Sequence, residues 1–139
     1  MATPKKMLPA IEVRMSDIAK SSKIFVVDDD EAVRDAIKGL LVMHGLDVQD
    51  FGSTAELVRG YAKPAHGCLI LDQHLPQCSG LDFLASVEGR ELGIPVILIT
   101  GQGDENIKRR AAQAGAAYLE KPLRRKNLID MLERVMGRC

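Results

Sequence analysis

Hydrophobic residues along this chain fall into short runs separated by stretches in which they recur at helical spacing. Five runs stand out, Lys23 to Val27, Asp47 to Phe51, Cys68 to Leu71, Val96 to Thr100 and Ala117 to Glu120, each close to the usual length of a strand. Between them the apolar positions step by three and four. Ala32, Val33, Ala36, Ile37, Leu40 and Leu41 form one such stripe, and Leu128, Met131, Leu132 and Val135 another, which predicts amphipathic first and fifth helices. Ser53 ahead of Thr54-Ala55-Glu56 has the form of a capping box opening the second helix, Gly80 precedes the third, and Asp104 stands at the start of the fourth. Gly45, Gly67 and Gly115 mark joins between elements. The regular alternation of strand and helix predicts an α/β domain built on a parallel sheet.

Residues 1 to 22 break this rhythm: Pro4, Pro9, Ser16, Ser21 and Ser22 are mixed with charges, as expected of a mobile extension with one helical turn near Met15 to Ala19. The remaining stretch, 23 to 139, has the length of one domain with one core. Composition narrows the function. Nineteen basic residues offset nineteen acidic ones for a formal net charge of zero, so there is no domain-wide basic footprint of the kind that direct nucleic-acid binding requires. Cys68, Cys78 and Cys139 are odd in number and widely spaced, which suggests neither a disulfide framework nor a zinc site and fits a cytoplasmic protein. No apolar run approaches the roughly 18 residues that cross a bilayer, and the first 22 residues lack the apolar core of a signal peptide.

The candidate chemistry lies at strand ends. In an open parallel sheet, ligands bind beyond the carboxyl ends of the strands. There the chain places Asp28, Asp29 and Asp30 after the first strand, Asp72 at the end of the third, Thr100 at the end of the fourth and Lys121 after the fifth. Any one of these is ordinary in a solvated loop; their convergence from four segments is not. Carboxylates crowded in a partly dehydrated pocket repel one another unless a cation neutralises them. Hard carboxylate and carbonyl oxygens suit Mg²⁺, and no Cys/His grouping suggests zinc.

Four segments in order, Ile24-Phe-Val-Val-Asp-Asp-Asp-Glu31, Leu69-Ile-Leu-Asp-Gln-His-Leu-Pro76 through Ser79-Gly80, Ile97-Leu-Ile-Thr-Gly101 and Glu120-Lys-Pro122, resemble the motifs of response-regulator receiver domains over residues 23 to 136. The run from Ile99 to Asp104 resembles receivers of the nitrogen-regulation and nitrogen-fixation types, which often precede DNA-binding domains. The resemblance implies a flavodoxin-like (βα)5 doubly wound sheet of strand order 2-1-3-4-5. It also implies a phospho-acceptor that takes a phosphoryl group from a histidine kinase or phosphotransfer protein in a two-component system or phosphorelay. Such a domain promotes its own phosphorylation and dephosphorylation but acts as a signalling switch rather than an enzyme.

Matched position by position, Asp72 is the phosphorylated residue and a metal ligand. Asp29 is a direct ligand, Asp28 acts through a coordinated water, and the backbone carbonyl of His74 is the third protein oxygen around magnesium. Asp30 is left as the helix N-cap. Lys121 and Thr100 would contact the phosphoryl oxygens, and Gly101 would leave the approach open. Tyr118, three residues before Lys121, matches the family's switch aromatic, which responds to Thr100 and alters the face formed by the fourth helix, fifth strand and fifth helix. A downstream protein or a second copy of the chain would bind that face. The side chain of His74 would face the site entrance as a tuning residue, Cys78 reads as a merely exposed thiol, and the Lys121–Pro122 bond is often cis in the family.

Two other classes fit the residues less well. Haloacid-dehalogenase-type phosphatases also pair an Asp nucleophile with magnesium, but carry a second Asp two residues on, where this chain has His74. A flavodoxin-like binding module would need a phosphate-cradling loop after the first strand, and the acidic run there opposes one. With only Gly137-Arg-Cys139 beyond the fifth helix, output is expected through another protein, either from a single-domain regulator or from one segment of a longer protein.

Overall fold

The computed structural model describes residues 22–137, so residues 1–21 of the expected mobile extension and the helical turn near Met15 lie outside the described residues, whereas Ser22, expected in that extension, opens β1 because it pairs with His66. Strands β1 (Ser22–Val27), β2 (Asp47–Phe51), β3 (His66–Asp72), β4 (Val96–Thr100) and β5 (Ala117–Glu120) alternate with α1 (Glu31–Met43), α2 (Thr54–Gly60), α3 (Gly80–Ala85), α4 (Val87–Arg90), α5 (Glu105–Gln113) and α6 (Arg125–Met136). All strand pairs are parallel. They form one sheet of order β2-β1-β3-β4-β5, as the family resemblance implied.

The sheet is covered on both faces, which is why its central strands read as nearly unbroken apolar runs. Alternate residues serve opposite faces. Ile24, Val26, Ile70, Ile97 and Ile99 pack with Ile37 and Leu41 of α1 and Leu128 and Leu132 of α6. Phe25, Val27, Leu69, Leu71 and Leu98 pack with Leu57 of α2, Leu81 and Phe83 of α3 and Ala111 of α5. Side-chain caps set where most helices begin. Asp30 Oδ1 accepts from the Ala32 amide at 2.9 Å, Ser53 Oγ from Glu56 at 3.1 Å, and Asp104 Oδ1 from Ile107 at 2.8 Å.

Several local expectations change. β3 begins at His66, two residues ahead of the expected Cys68, because Ser22 and Lys23 of β1 pair with His66 and Gly67. Gly67 therefore sits inside a strand; a Cβ there would lie 2.7 Å from the Lys23 carbonyl oxygen, so the residue permits close strand approach instead of marking a join. Gly45 and Gly115 do lie at joins, with φ of 82° and 78°, a region that favours glycine. The Glu56 carboxylate accepts from the Gly52 amide at 3.0 Å rather than from Ser53, so the capping box is displaced by one residue. Gly80 is the first residue of α3, with Ser79 as its cap. The third helical segment is broken at Ser86, whose extended backbone ends α3 and whose hydroxyl caps α4. The fourth and fifth helices of the sequence pattern are thus α5 and α6.

Candidate functional site

Two strand ends and the loop after β5 bring four charged groups together. Asp28 leaves β1 fully buried, and Asp72, the last residue of β3, is 2% exposed. Lys121 follows β5 and reaches between them, its Nζ 3.1 Å from Asp28 Oδ2 and 3.4 Å from Asp72 Oδ1. Asp29 is exposed at the rim, yet one oxygen from each of Asp28, Asp29 and Asp72 falls within 4.8 Å of the others. The backbone holds these side chains in place. Asp28 Oδ1 accepts from the Asp30 amide at 2.9 Å, the Arg34 guanidinium donates to the Asp28 carbonyl at 2.8 Å, and the Lys121 amide donates to the Thr100 carbonyl at 2.8 Å. The Lys121–Pro122 peptide is cis.

The electrostatics are unbalanced. Burial pushes the Asp72 carboxyl above its ordinary value, and the Asp28 charge pushes it further, against the opposing pull of Lys121. Burial alone would lower the Lys121 ammonium, but the neighbouring carboxylates of Asp28 and Asp72 outweigh it and hold its pKa above normal. Asp28 Oδ2 has the Lys121 ion pair at 3.1 Å but no donor aligned on it for a hydrogen bond. The ion pair, shared with Asp72, offsets only part of its charge, and the missing alignment leaves acceptor capacity unused. A buried, incompletely satisfied carboxylate among three hard oxygen donors fits a divalent cation of the magnesium or calcium kind.

Thr100 ends β4 fully buried. Its Oγ1 accepts from the Gln102 amide at 3.2 Å and lies 2.8 Å from His74 Nε2. His74 also places its own amide on Asp72 Oδ1 at 3.3 Å. Tyr118 stands apart from the acid cluster. It is half-buried, its hydroxyl donates to Glu120 at 3.2 Å, and a side chain at Gly103 would overlap that hydroxyl. Burial, and then the Glu120 hydrogen bond and charge, push the Tyr118 phenol up. Cys78 is half-buried rather than exposed, and burial followed by the Asp82 charge raises its thiol, which leaves it a poor nucleophile.

Sequence reasoning missed three contacts around the site. Gln73 is buried, and its side chain accepts from the Leu81 amide at 2.9 Å, tying the loop after Asp72 to the start of α3. Gly80 lets that helix approach: a Cβ there would stand 2.8 Å from the Asp72 carbonyl. The His74 ring reaches Thr100 across 26 residues of sequence, a separation at which neither periodicity nor motif spacing carries a signal.

Comparison with known proteins shows the family to which the chain belongs. Residues 24–133 match the family described as response regulator receiver domain. The chain is 39% identical over 121 residues to the response regulator protein TodT of Pseudomonas putida, covering 85% of this chain and 52% of TodT. It is 39% identical over 108 residues to nodulation protein W of Bradyrhizobium diazoefficiens, covering 77% and 48%. It thus spans about half the length of these relatives. The solved structure of the response regulator StyR superposes with a TM-score of 0.76 at 34% identity, covering 84% of this chain and 60% of that one. These likenesses do not support the haloacid-dehalogenase-type alternative.

Proposed function

The chain belongs to the response regulator receiver domain family, and from that premise we propose that Asp72 is the carboxylate that takes the phosphoryl group. The domain is a phospho-acceptor and acts as a signalling switch. The observation that carries the assignment is the convergence on Asp72, at a strand's carboxyl end, of a second buried carboxylate and the Lys121 ammonium. In-line phosphoryl transfer asks mainly for alignment and charge neutralisation. A carboxylate has no proton to remove. Its oxygen forms the new O–P bond as the N–P bond of a donor phosphohistidine breaks and that electron pair returns to the donor's imidazole. Lys121 neutralises the transferred oxygens, and Thr100, at the end of the neighbouring strand, donates its hydroxyl to one of them.

The carboxylates of Asp29 and Asp72, with the His74 carbonyl and a water held by Asp28, would hold Mg²⁺. When bound, the ion supplies the positive charge that three crowded carboxylates and an incoming phosphate require. The second Asp of phosphatases is absent, the position being His74, which favours an acyl phosphate that persists. Output runs through Thr100 and Tyr118 to the face built from α5, β5 and α6, where a downstream protein or a second copy of the chain docks. We place the domain in the cytoplasm, with a histidine kinase or phosphotransfer protein as its donor; among the described residues no helix is long and apolar enough to cross a membrane.

Incubation with magnesium and acetyl phosphate, read by intact-mass spectrometry, is expected to add one phosphoryl group to the parent and none to Asp72→Asn. Equal labelling of the variant would remove Asp72 from this role.

A further inference from the structure

The contact that links the acceptor to the switch is made by a side chain outside the charged cluster. His74 is tied at two points, its amide to Asp72 Oδ1 at 3.3 Å and its ring to Thr100 Oγ1 at 2.8 Å. The two ends differ in what they can do without each other. Thr100 is fully buried with the imidazole in place, whereas His74 is exposed in the loop after β3 and regains solvent when it swings away. A hydroxyl has one proton and two lone pairs. The Gln102 amide occupies one lone pair, and the imidazole takes either the proton or the second lone pair, according to its tautomer. In both cases Oγ1 is held toward His74.

We propose that the His74 imidazole is a latch on Thr100. It retains the hydroxyl in the unphosphorylated state and must release it before that hydroxyl serves a phosphoryl group on Asp72. His74 is therefore a positioning residue that sets how readily the activated conformation forms. The inference rests on the assignment of Asp72 and Thr100 above and adds to it a side chain acting against that conformation. The same residue senses the acceptor through its amide, because phosphorylation turns the carboxylate on which that amide rests into an acyl phosphate. A latch also accounts for the economy of the contact. An intramolecular hydrogen bond of ordinary net strength changes an equilibrium by about fivefold, enough to bias a switch and small enough for a phosphoryl oxygen to overcome.

Beryllofluoride, an acyl-phosphate mimic, tests this in the full chain with magnesium in excess. Its affinity is followed by the NMR signal of the Thr100 γ-methyl or, in Thr100→Val, by the methyl signals of the substituted side chain. His74→Phe, which keeps a ring but no hydrogen bond, is expected to bind about fivefold more tightly than the parent. His74→Gln, which can still donate to or accept from a hydroxyl, should return toward the parent value. In a Thr100→Val background, where the hydroxyl is gone, His74→Phe should change nothing, an outcome that a merely structural role for the ring would not give. A His74→Phe chain that binds like the parent, or that tightens equally in the Thr100→Val background, overturns the latch while leaving the Asp72 assignment standing. Weaker binding by His74→Phe overturns it too, by making the imidazole a ligand of the phosphoryl group. A parent that fails to bind beryllofluoride brings down the Asp72 assignment and the latch together.

Discussion

Two acidic regions lie side by side on this sheet and are treated in opposite ways. Asp50, in β2, faces two cations: Arg34 Nε at 3.0 Å and Lys38 Nζ at 3.3 Å. Burial works to raise its carboxyl, but the hydrogen bonds and charges of Arg34 and Lys38 prevail and hold it below the ordinary range. One strand away, Asp28 and Asp72 share the ammonium of Lys121, with the Asp29 carboxylate clustered beside them, and the Asp72 carboxyl is pushed up. Both regions are carboxylates at a sheet margin, and burial raises the carboxyl at each. They differ in charge balance. The first is closed and holds α1 to β2; the second is left short of positive charge, as suits a site completed by a metal ion and a phosphoryl group.

The largest test of this contrast removes a cation from each region. Lys121→Met leaves two buried carboxylates uncompensated and is expected to cost about 3 kcal/mol in urea unfolding with chelator present. Lys38→Met, which leaves Arg34 on Asp50, should cost less than about 1 kcal/mol. Equal costs would erase the distinction.

Next in size is the response to magnesium. A saturating concentration should raise the melting temperature of the parent by about 5 °C through preferential binding to the folded state. Asp29→Ala should blunt the rise and Asp50→Asn should leave it intact; a full response in Asp29→Ala would exclude direct coordination by that residue.

A smaller effect, of opposite sign in the two regions, follows from the carboxyl shifts. Asp50 is held below its ordinary 3.8, so its contribution is complete above that pH and is lost as pH falls through the depressed folded value. Asp50→Asn should therefore destabilise by about 1 kcal/mol at neutral pH and converge with the parent in acid. Asp72 is held above 3.8, so its ionised form costs stability at neutral pH, and the cost fades as pH falls through the raised value toward 3.8. Metal-free Asp72→Asn should accordingly melt higher than the parent at pH 7, by a margin that shrinks on acidification. Melting curves from pH 3 to pH 7 show whether the signs differ.

The smallest expected change is spectroscopic. Beryllofluoride should move the ring signals of Tyr118 in the parent but not in Thr100→Ala, while the Lys38 side-chain signals beside Asp50 stay in place. A Tyr118 ring that does not respond in the parent would confine activation to the acid cluster and end the proposed route to the α5, β5 and α6 face.

Much of this molecule is written locally. Continuous burial in Ile24 to Val27 and in Ile97 to Thr100 matches their unbroken apolar runs, and β2, β4 and β5 have the bounds that their runs predict. Asp30 and Asp104 cap helices because each carboxylate needs only amides two or three residues ahead. The membership of the acid cluster was equally legible, since a parallel sheet brings strand ends to one rim whatever their separation in sequence. Tertiary structure decided the rest. It lengthened β3 through pairing with β1, broke the third helical segment at Ser86, half-buried Cys78 and gave Asp50 its two cations. It also set the His74 ring on Thr100. Periodicity and capping act between residues a few positions apart and leave a trace in the order of the chain; a hydrogen bond between two loops depends on how separate strands and helices pack, and local order alone does not encode it.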